Sequence, residues 1–236
     1  RNLSRGLGDV YKRQPVYICY NIKITMNYKE EKVISLPLDK VKNKLSDSKK
    51  TALIAEHFKS IMELLELDMN DNSLKDTPMR VAKMYVEELF EGLNPANKPV
   101  ITNFDNSFNY NGMILEKNIN LYSICEHHFV PIVGRAHIAY FANDKVIGLS
   151  KMNRIVHYLS KRPQVQEKLT VQILDYLKQE LETDDVACVV EAKHLCVSMR
   201  GIKDVLSLTT TAEYSGKFLE HNIKQEMLQL IGSNNE

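Results

Sequence analysis

No stretch of this 236-residue chain approaches the ~20 consecutive apolar residues that a bilayer-spanning helix needs, so no membrane span is expected. Neither charge is in excess: Lys and Arg number 31, Asp and Glu 30, and the formal net charge is +1. Bulk electrostatic attachment to nucleic acid or to a membrane surface is therefore not expected, although a balanced total is compatible with a local cationic pocket. No secretory leader is expected either, because the first residues do not read as a clean apolar core followed by a small-residue cleavage site. Cysteine is scarce, at four residues: Cys19, Cys125, Cys188 and Cys196. In a chain of this length without a leader, these thiols are expected to be reduced core residues or metal ligands, and the compartment to be cytoplasmic. Internal repeats and low-complexity tracts are absent.

Methionine is missing from the first 25 residues, after which Met26 opens the more ordinary text MNYKEEKVISLPLDK. Residues 1–25 are expected to be non-native, with a genuine disordered extension as the alternative. Residues 26–48 read as a polar, lysine-rich arm, with Ser46-Asp47-Ser48 as a helix entry. With 44% hydrophobic and 26% charged residues, the remainder has the composition of one large domain or a small helical domain joined to a larger one. The expected division is an extension over 1–48, a helical region over 49–112 and a catalytic domain over 113–236.

From residue 49 the apolar pattern is helical, with Ile54, Phe58, Ile61, Met62 and Leu65 on one stripe. Thr77-Pro78 reads as an N-cap and N1 proline before a second stripe of Val81, Met84, Tyr85 and Leu89, and Gly92 and Pro95 stop it. Residues 49–92 are thus expected to form a helical hairpin. Arg135 to Phe141 is β-like, and Asn143-Asp144 marks a turn. Ser150 is expected to cap a helix burying Met152, Ile155, Val156 and Leu159, interrupted at Arg162-Pro163. A longer helix follows, with Val165, Leu169, Ile173, Leu177 and Leu181 inward. Residues 186–200 and 205–213 read as strands, and 218–230 as a last helix. The fold class is α+β.

The densest chemistry lies in Cys125-Glu126-His127-His128. A cysteine and a histidine three apart can reach one ion from a tight turn, and thiolate with imidazole suits Zn²⁺. If 186–200 is one strand, His194, Cys196 and Arg200 share a face. Cys125, His128 and Cys196 would then supply three ligands and leave a coordination position open, the pattern of a catalytic rather than a structural zinc. Cys188 lies roughly 26 Å from Cys196 along a strand at ~3.3 Å per residue, so it is read as a core residue. His127 and His194 remain free as proton carriers. Spacing alone leaves open the alternative that the cysteines are unmetallated and the histidines ordinary core or surface residues. Ser150, Lys151 and Arg154 place backbone N–H groups and two cations at one helix start, which is either an anion site or a solvated helix end. Arg80 repeats the arrangement. Gln166-Glu167 opens the next helix; its carboxylate either favours the helix dipole or reads a base edge.

Five separated segments resemble the GTP cyclohydrolase I family in content and order: TPMRVAKMY at 77–85, CEHHFVP at 125–131, GLSKMNRIV at 148–156, RPQVQEKLT at 162–170 and KHLCVSMRGIK at 193–203. The resemblance covers roughly residues 50–220. It implies a tunnelling fold, with an N-terminal helical hairpin and an antiparallel sheet packed with helices, assembled as a homodecamer of two pentamers with active sites between subunits. It further implies Zn²⁺ on Cys125, His128 and Cys196, and hydrolysis of GTP at C8 with proton transfer by His127 and His194. Formate would leave, and 7,8-dihydroneopterin triphosphate would form, at the first step of folate and pterin biosynthesis. By the same resemblance Ser150 acts near the ribose, Gln166 and Glu167 recognise the guanine edge, and Lys151, Arg154 and Arg200 neutralise triphosphate. Arg80 resembles a residue lent by a neighbouring subunit, and Lys83 is a weaker candidate for that role. Nothing before about residue 45 matches the family.

Other enzymes of that fold are disfavoured by the Cys-His-Cys set, because a pterin synthase would want three histidines on zinc and a deazaguanine reductase a metal-free nucleophilic thiol. A zinc-stapled binding module would need a fourth protein ligand.

Overall fold

The structure is a computed structural model that describes residues 45–233, so Cys19 and the expectations for residues 1–44 lie outside it. The first helix, α1 (Asp47–Leu64), begins where Ser46 accepts the Lys49 N–H on its side chain. Such a cap contributes about 1 kcal/mol, more than the exposed Lys50–Asp47 ion pair beside it. Helix α1 buries Thr51, Ala55 and Met62, while Ile61 and Leu65 stay exposed, a correction to the expected stripe. Its main partner is α2 (Thr77–Lys83), and a single short helix covers only a narrow face. Asp76, not Thr77, occupies the N-cap of α2. The helix then widens into a π turn over Met84–Leu89, closed by Phe90 N–H donating to Tyr85 O at 3.0 Å. Gly92 ends this region for a steric reason: a Cβ there would lie 2.2 Å from the Tyr158 carbonyl oxygen.

From residue 103 the chain folds as β1 (Asn103–Asp105), β2 (Met113–Cys125), β3 (Pro131–Phe141), β4 (Lys145–Ile147), α3 (Leu149–Ser160), β5 (Pro163–Gln164), α4 (Gln166–Leu181), β6 (Val186–His194), α5 (Leu195–Ser198), β7 (Thr209–Tyr214) and α6 (His221–Gly232). Five strands form one sheet in the order β5-β2-β3-β6-β7, antiparallel except for β5 against β2, and β1 pairs with β4 separately. This is the tunnelling fold that the motifs imply.

Helices α3 and α4 cover one face of the sheet. Met152, Ile155, Val156 and Leu159 of α3 and Leu169, Ile173, Leu177 and Leu181 of α4 interlock with Leu121, Ile132, Ile138 and Val190. Each such side chain, fully buried, contributes about 1.5–3 kcal/mol. Phe218 and Met227 cover part of the opposite face, against Ala139, Ala187 and Val189. Because β3 and β6 are buried on both sides there, VACVV carries no alternation. Gly134 lets these two strands approach: a Cβ would meet Glu191 O at 2.1 Å.

Strand β2, the longest, is absent from the sequence expectations. Its pairing with β3 slips between Glu116 and Ile119, a bulge with Asn118 at φ 61°. The Asn118 N–H points at Nδ1 of His137, 3.4 Å away, and Arg135 Nη1 donates to Asn118 Oδ1 at 3.1 Å. The expected strand over 186–200 stops at His194 and turns into α5. The reason is the loss of partners: β3 pairs with β6 only as far as Ile132–His194, and β7 only as far as Ala192–Thr209. The backbone closes on itself instead, with Met199 N–H donating to Leu195 O. Ser150 is likewise not a cap; Gly148 is, and Ser150 lies within the first turn of α3. Among the described residues, no helix is long and apolar enough to cross a membrane.

His137 is buried, with Nε2 3.5 Å from the Glu191 carboxylate. Burial holds its imidazole below the ordinary value; Glu191 pulls the other way, while Arg135 and Lys117 add to the depression. A histidine kept neutral in the fold stabilises above its unfolded value and loses that contribution as pH falls below it. Between about pH 7 and about pH 5, thermal denaturation of the wild type is expected to show a steeper loss of Tm than that of His137→Gln. Parallel profiles would refute this assignment.

Candidate functional site

Strand β2 delivers Cys125, its last residue, to a tight turn that leads into β3. Cys125 N–H donates to Val130 O and Phe129 N–H to Cys125 O, both at 2.9 Å, while Glu126 N–H reaches Gln164 O at 3.0 Å. Phe129 sits at φ 54°, a left-handed conformation that costs a non-glycine residue free energy. Its ring packs edge-on against Phe90, 5.4 Å between centroids, which ties the turn to the end of the π turn. Glu126 pairs with Lys168 of α4, so its carboxylate anchors the turn.

Within this turn the two histidines are set at 73° to each other. The His128 donor nitrogen, Cys125 Sγ and Cys196 Sγ all lie within 4.8 Å of one another. These three residues could hold a metal ion. His127 is exposed, and its Nδ1 lies 3.9 Å from Cys125 Sγ. Cys196 reaches the group from α5 and not from a strand face; the shared parity expected for His194, Cys196 and Arg200 is therefore corrected. Burial raises the Cys196 thiol, and the adjacent Cys125 raises it further. Two soft thiolates and an imidazole form a donor set that suits zinc chemistry, and clustering their negative charge is favourable only beside a cation. Cys188 is fully buried in the main core, where burial pushes its thiol far up.

His194, the last residue of β6, precedes Cys196 by two residues. Its Nε2 is 2.7 Å from Gln166 Oε1 at the start of α4. Burial lowers the His194 imidazole, and the neighbouring Glu167 carboxylate partly offsets this. Gln166 is buried, with its Nε2 3.0 Å from Val190 O, 2.9 Å from Thr209 O and 3.1 Å from Thr211 Oγ1. Sequence reasoning assigned no role to these threonines; the hydroxyl run at 209–211 was their only signal. Glu167 is exposed, as is Arg200 beyond α5.

The remaining candidates lie elsewhere in the chain. Helix α3 runs along β2 with Asn153 Nδ2 against Glu116 Oε1 at one end and Ser123 Oγ against Ser160 O at the other. Ser150, Lys151 and Arg154 thus sit beside the bulged end of β2. Cys125 lies farther along the strand, at its other end. Arg154 lines a cavity of about 530 Å³ together with Asn118, Asn120, Asn153 and His157, and none of the three metal-donor residues borders it. Arg80 is held on α2, its guanidinium donating to Ser73 O and Thr77 Oγ1. Lys83, at the end of that helix, is exposed. One chain therefore builds the metal-donor group at the end of β2 and the cationic helix start beside its bulge.

A sequence model of GTP cyclohydrolase I matches residues 54–232. A GTP cyclohydrolase 1 from Flavobacterium johnsoniae is 54% identical over 187 residues, 79% of this chain and 84% of that protein. One from Enterobacter sp. is 47% identical, covering 86% of this chain and 91% of that protein. One from Salmonella choleraesuis is 47% identical over 84% of this chain and 90% of its own length.

The donor group is testable without its relatives. Cys196→Ala is expected to lower bound metal, measured by elemental analysis after dialysis, at least tenfold (roughly the effect of losing one ligand). Cys188→Ala should leave it unchanged.

Proposed function

The chain belongs to the GTP cyclohydrolase I family, and from that premise we propose that it opens the imidazole ring of GTP at C8 with zinc held by Cys125, His128 and Cys196. Formate leaves and 7,8-dihydroneopterin triphosphate forms, at the entry to folate and pterin biosynthesis. The observation that carries this reading is the convergence of three donor atoms within 4.8 Å of one another at the ends of two strands. When bound, zinc supplies Lewis acidity that makes water nucleophilic at neutral pH.

The chain's own groups handle protons and charge. His127 and His194 flank the donor residues in sequence and move protons as the ring opens. The exposed Glu167 carboxylate accepts N–H bonds from the guanine edge. Ser150 acts near the ribose, and Lys151, Arg154, Arg200 and Arg80 neutralise the triphosphate, a role that guanidinium groups fill through bidentate bonds. Because Arg154 borders a cavity that none of the three donor residues reaches, this reading has different subunits contribute them to one GTP. A homo-oligomer, the decamer of the resemblance, answers that separation.

Formate release from GTP by the metal-loaded protein tests the activity, and absence of formate would sink the reading. His127→Ala is expected to keep its metal yet lose kcat by roughly 10²-fold; metal loss there would reassign the ligand. Cys196→Ala and Arg154→Ala should each be inactive alone but regain activity when mixed and reassembled. No recovery would place the whole site within one chain.

A further inference from the structure

Gln166 is half of the dipeptide that the resemblance sets against the guanine edge, yet its side-chain amide is fully used inside the protein. Three acceptors surround Nε2: the carbonyl oxygens of Val190 and Thr209, at 3.0 and 2.9 Å, and the Thr211 hydroxyl at 3.1 Å. Carbonyl oxygens only accept, so the NH₂ end of the amide must face them; a flipped amide would press oxygen against two oxygens. The hydroxyls agree with this orientation. Thr170 Oγ1 donates to Gln166 O at 2.9 Å, which leaves it free to accept from Thr211 Oγ1 at 2.6 Å. Thr211 in turn is free to accept from Gln166. The donor direction is consistent around the whole network.

The orientation has a chemical consequence at His194. With Oε1 of Gln166 fixed as the atom 2.7 Å from His194 Nε2, that nitrogen must carry the hydrogen. In a neutral imidazole the other nitrogen, Nδ1, then holds the lone pair. We propose that Gln166 is a positioning residue, which fixes His194 as the Nε2–H tautomer and so makes Nδ1 its proton-accepting atom, and that the Gln166 side chain takes no part in reading the base. This rests on His194 as a proton carrier. It divides the labour of the dipeptide: the buried amide presets the histidine, and the exposed Glu167 is left for substrate. Val190 of β6 and Thr209 and Thr211 of β7 make that amide rigid, so the tautomer is tied to the β6–β7 pairing.

The test uses the full chain and two variants, Gln166→Ala and Thr211→Val, with side-chain ¹⁵N NMR of His194, steady-state formate release, metal content and Tm. In the wild type, His194 is expected to show the Nε2–H tautomer. Gln166→Ala should mix the tautomers and lower kcat by roughly 10²-fold, with KM for GTP within about twofold and metal retained. Thr211→Val, which leaves the amide its two carbonyl partners, should move both readouts the same way by less. A wild-type Nδ1–H tautomer would overturn the proposal, as would a variant whose KM rises while kcat holds. If Gln166→Ala fails to fold, the wild-type spectrum and Thr211→Val still decide. Wild-type protein without formate release would sink the functional reading alone, since the tautomer is measured independently of turnover.

Discussion

Pro131 and Ile132, at the start of β3, pair in two directions: Pro131 with Ile124 at the end of β2, and Ile132 with His194 at the end of β6. Neighbouring strands lie ~4.8 Å apart, so this double pairing fixes two strand ends at a separation of about two strand spacings. Everything at the candidate site follows from it. Cys125 and His128 enter from the turn on one side, and His194 and Cys196 from the other. Gln166 is set across the end of the sheet by β6 and β7. Remove the register and the donor atoms have no reason to meet.

The free energy of that meeting is supplied by the sheet and its helices. Closing a chain loop between Cys125 and Cys196 costs entropy whether or not an ion is present. Here the buried face of α3 and α4 against β2, β3 and β6 offsets that cost, with side chains worth about 1.5–3 kcal/mol each. The donor residues are thus brought together by a large packed core, unlike those of the small domains whose folding is metal-driven.

The sequence was most legible where one period dominates. The inward faces of α3 and α4 were correct from Met152 to Leu159 and from Leu169 to Leu181, because amphipathic helices on a sheet carry their burial pattern openly, whereas Val165, expected inward, is the half-buried N-cap of α4. Long-range partnership was far less legible. Strand β2 escaped because a bulge interrupts its alternation and residues 113–117 are only half-buried. The expected strand through residue 200 ignored that neither neighbour extends past His194, which no local pattern records. The metal donors could be nominated from residue type and spacing, and the parity argument that joined Cys196 to His194 reached them by a wrong route. Gln166 was singled out by resemblance alone, and no local pattern records that its amide meets carbonyls contributed by two distant strands.

The bulge at Asn118 sets the phase of everything after it. Before it, Ile114 faces the α3–α4 core; after it, Ile119, Leu121 and Cys125 do. One extra residue has exchanged even positions for odd. Had β2 run without interruption, its apolar residues would meet solvent and the thiol of Cys125 would emerge on the opposite side of the sheet from Cys196. The irregularity that hides this strand from sequence patterns is therefore what aims its terminal thiol, from a point seven residues upstream.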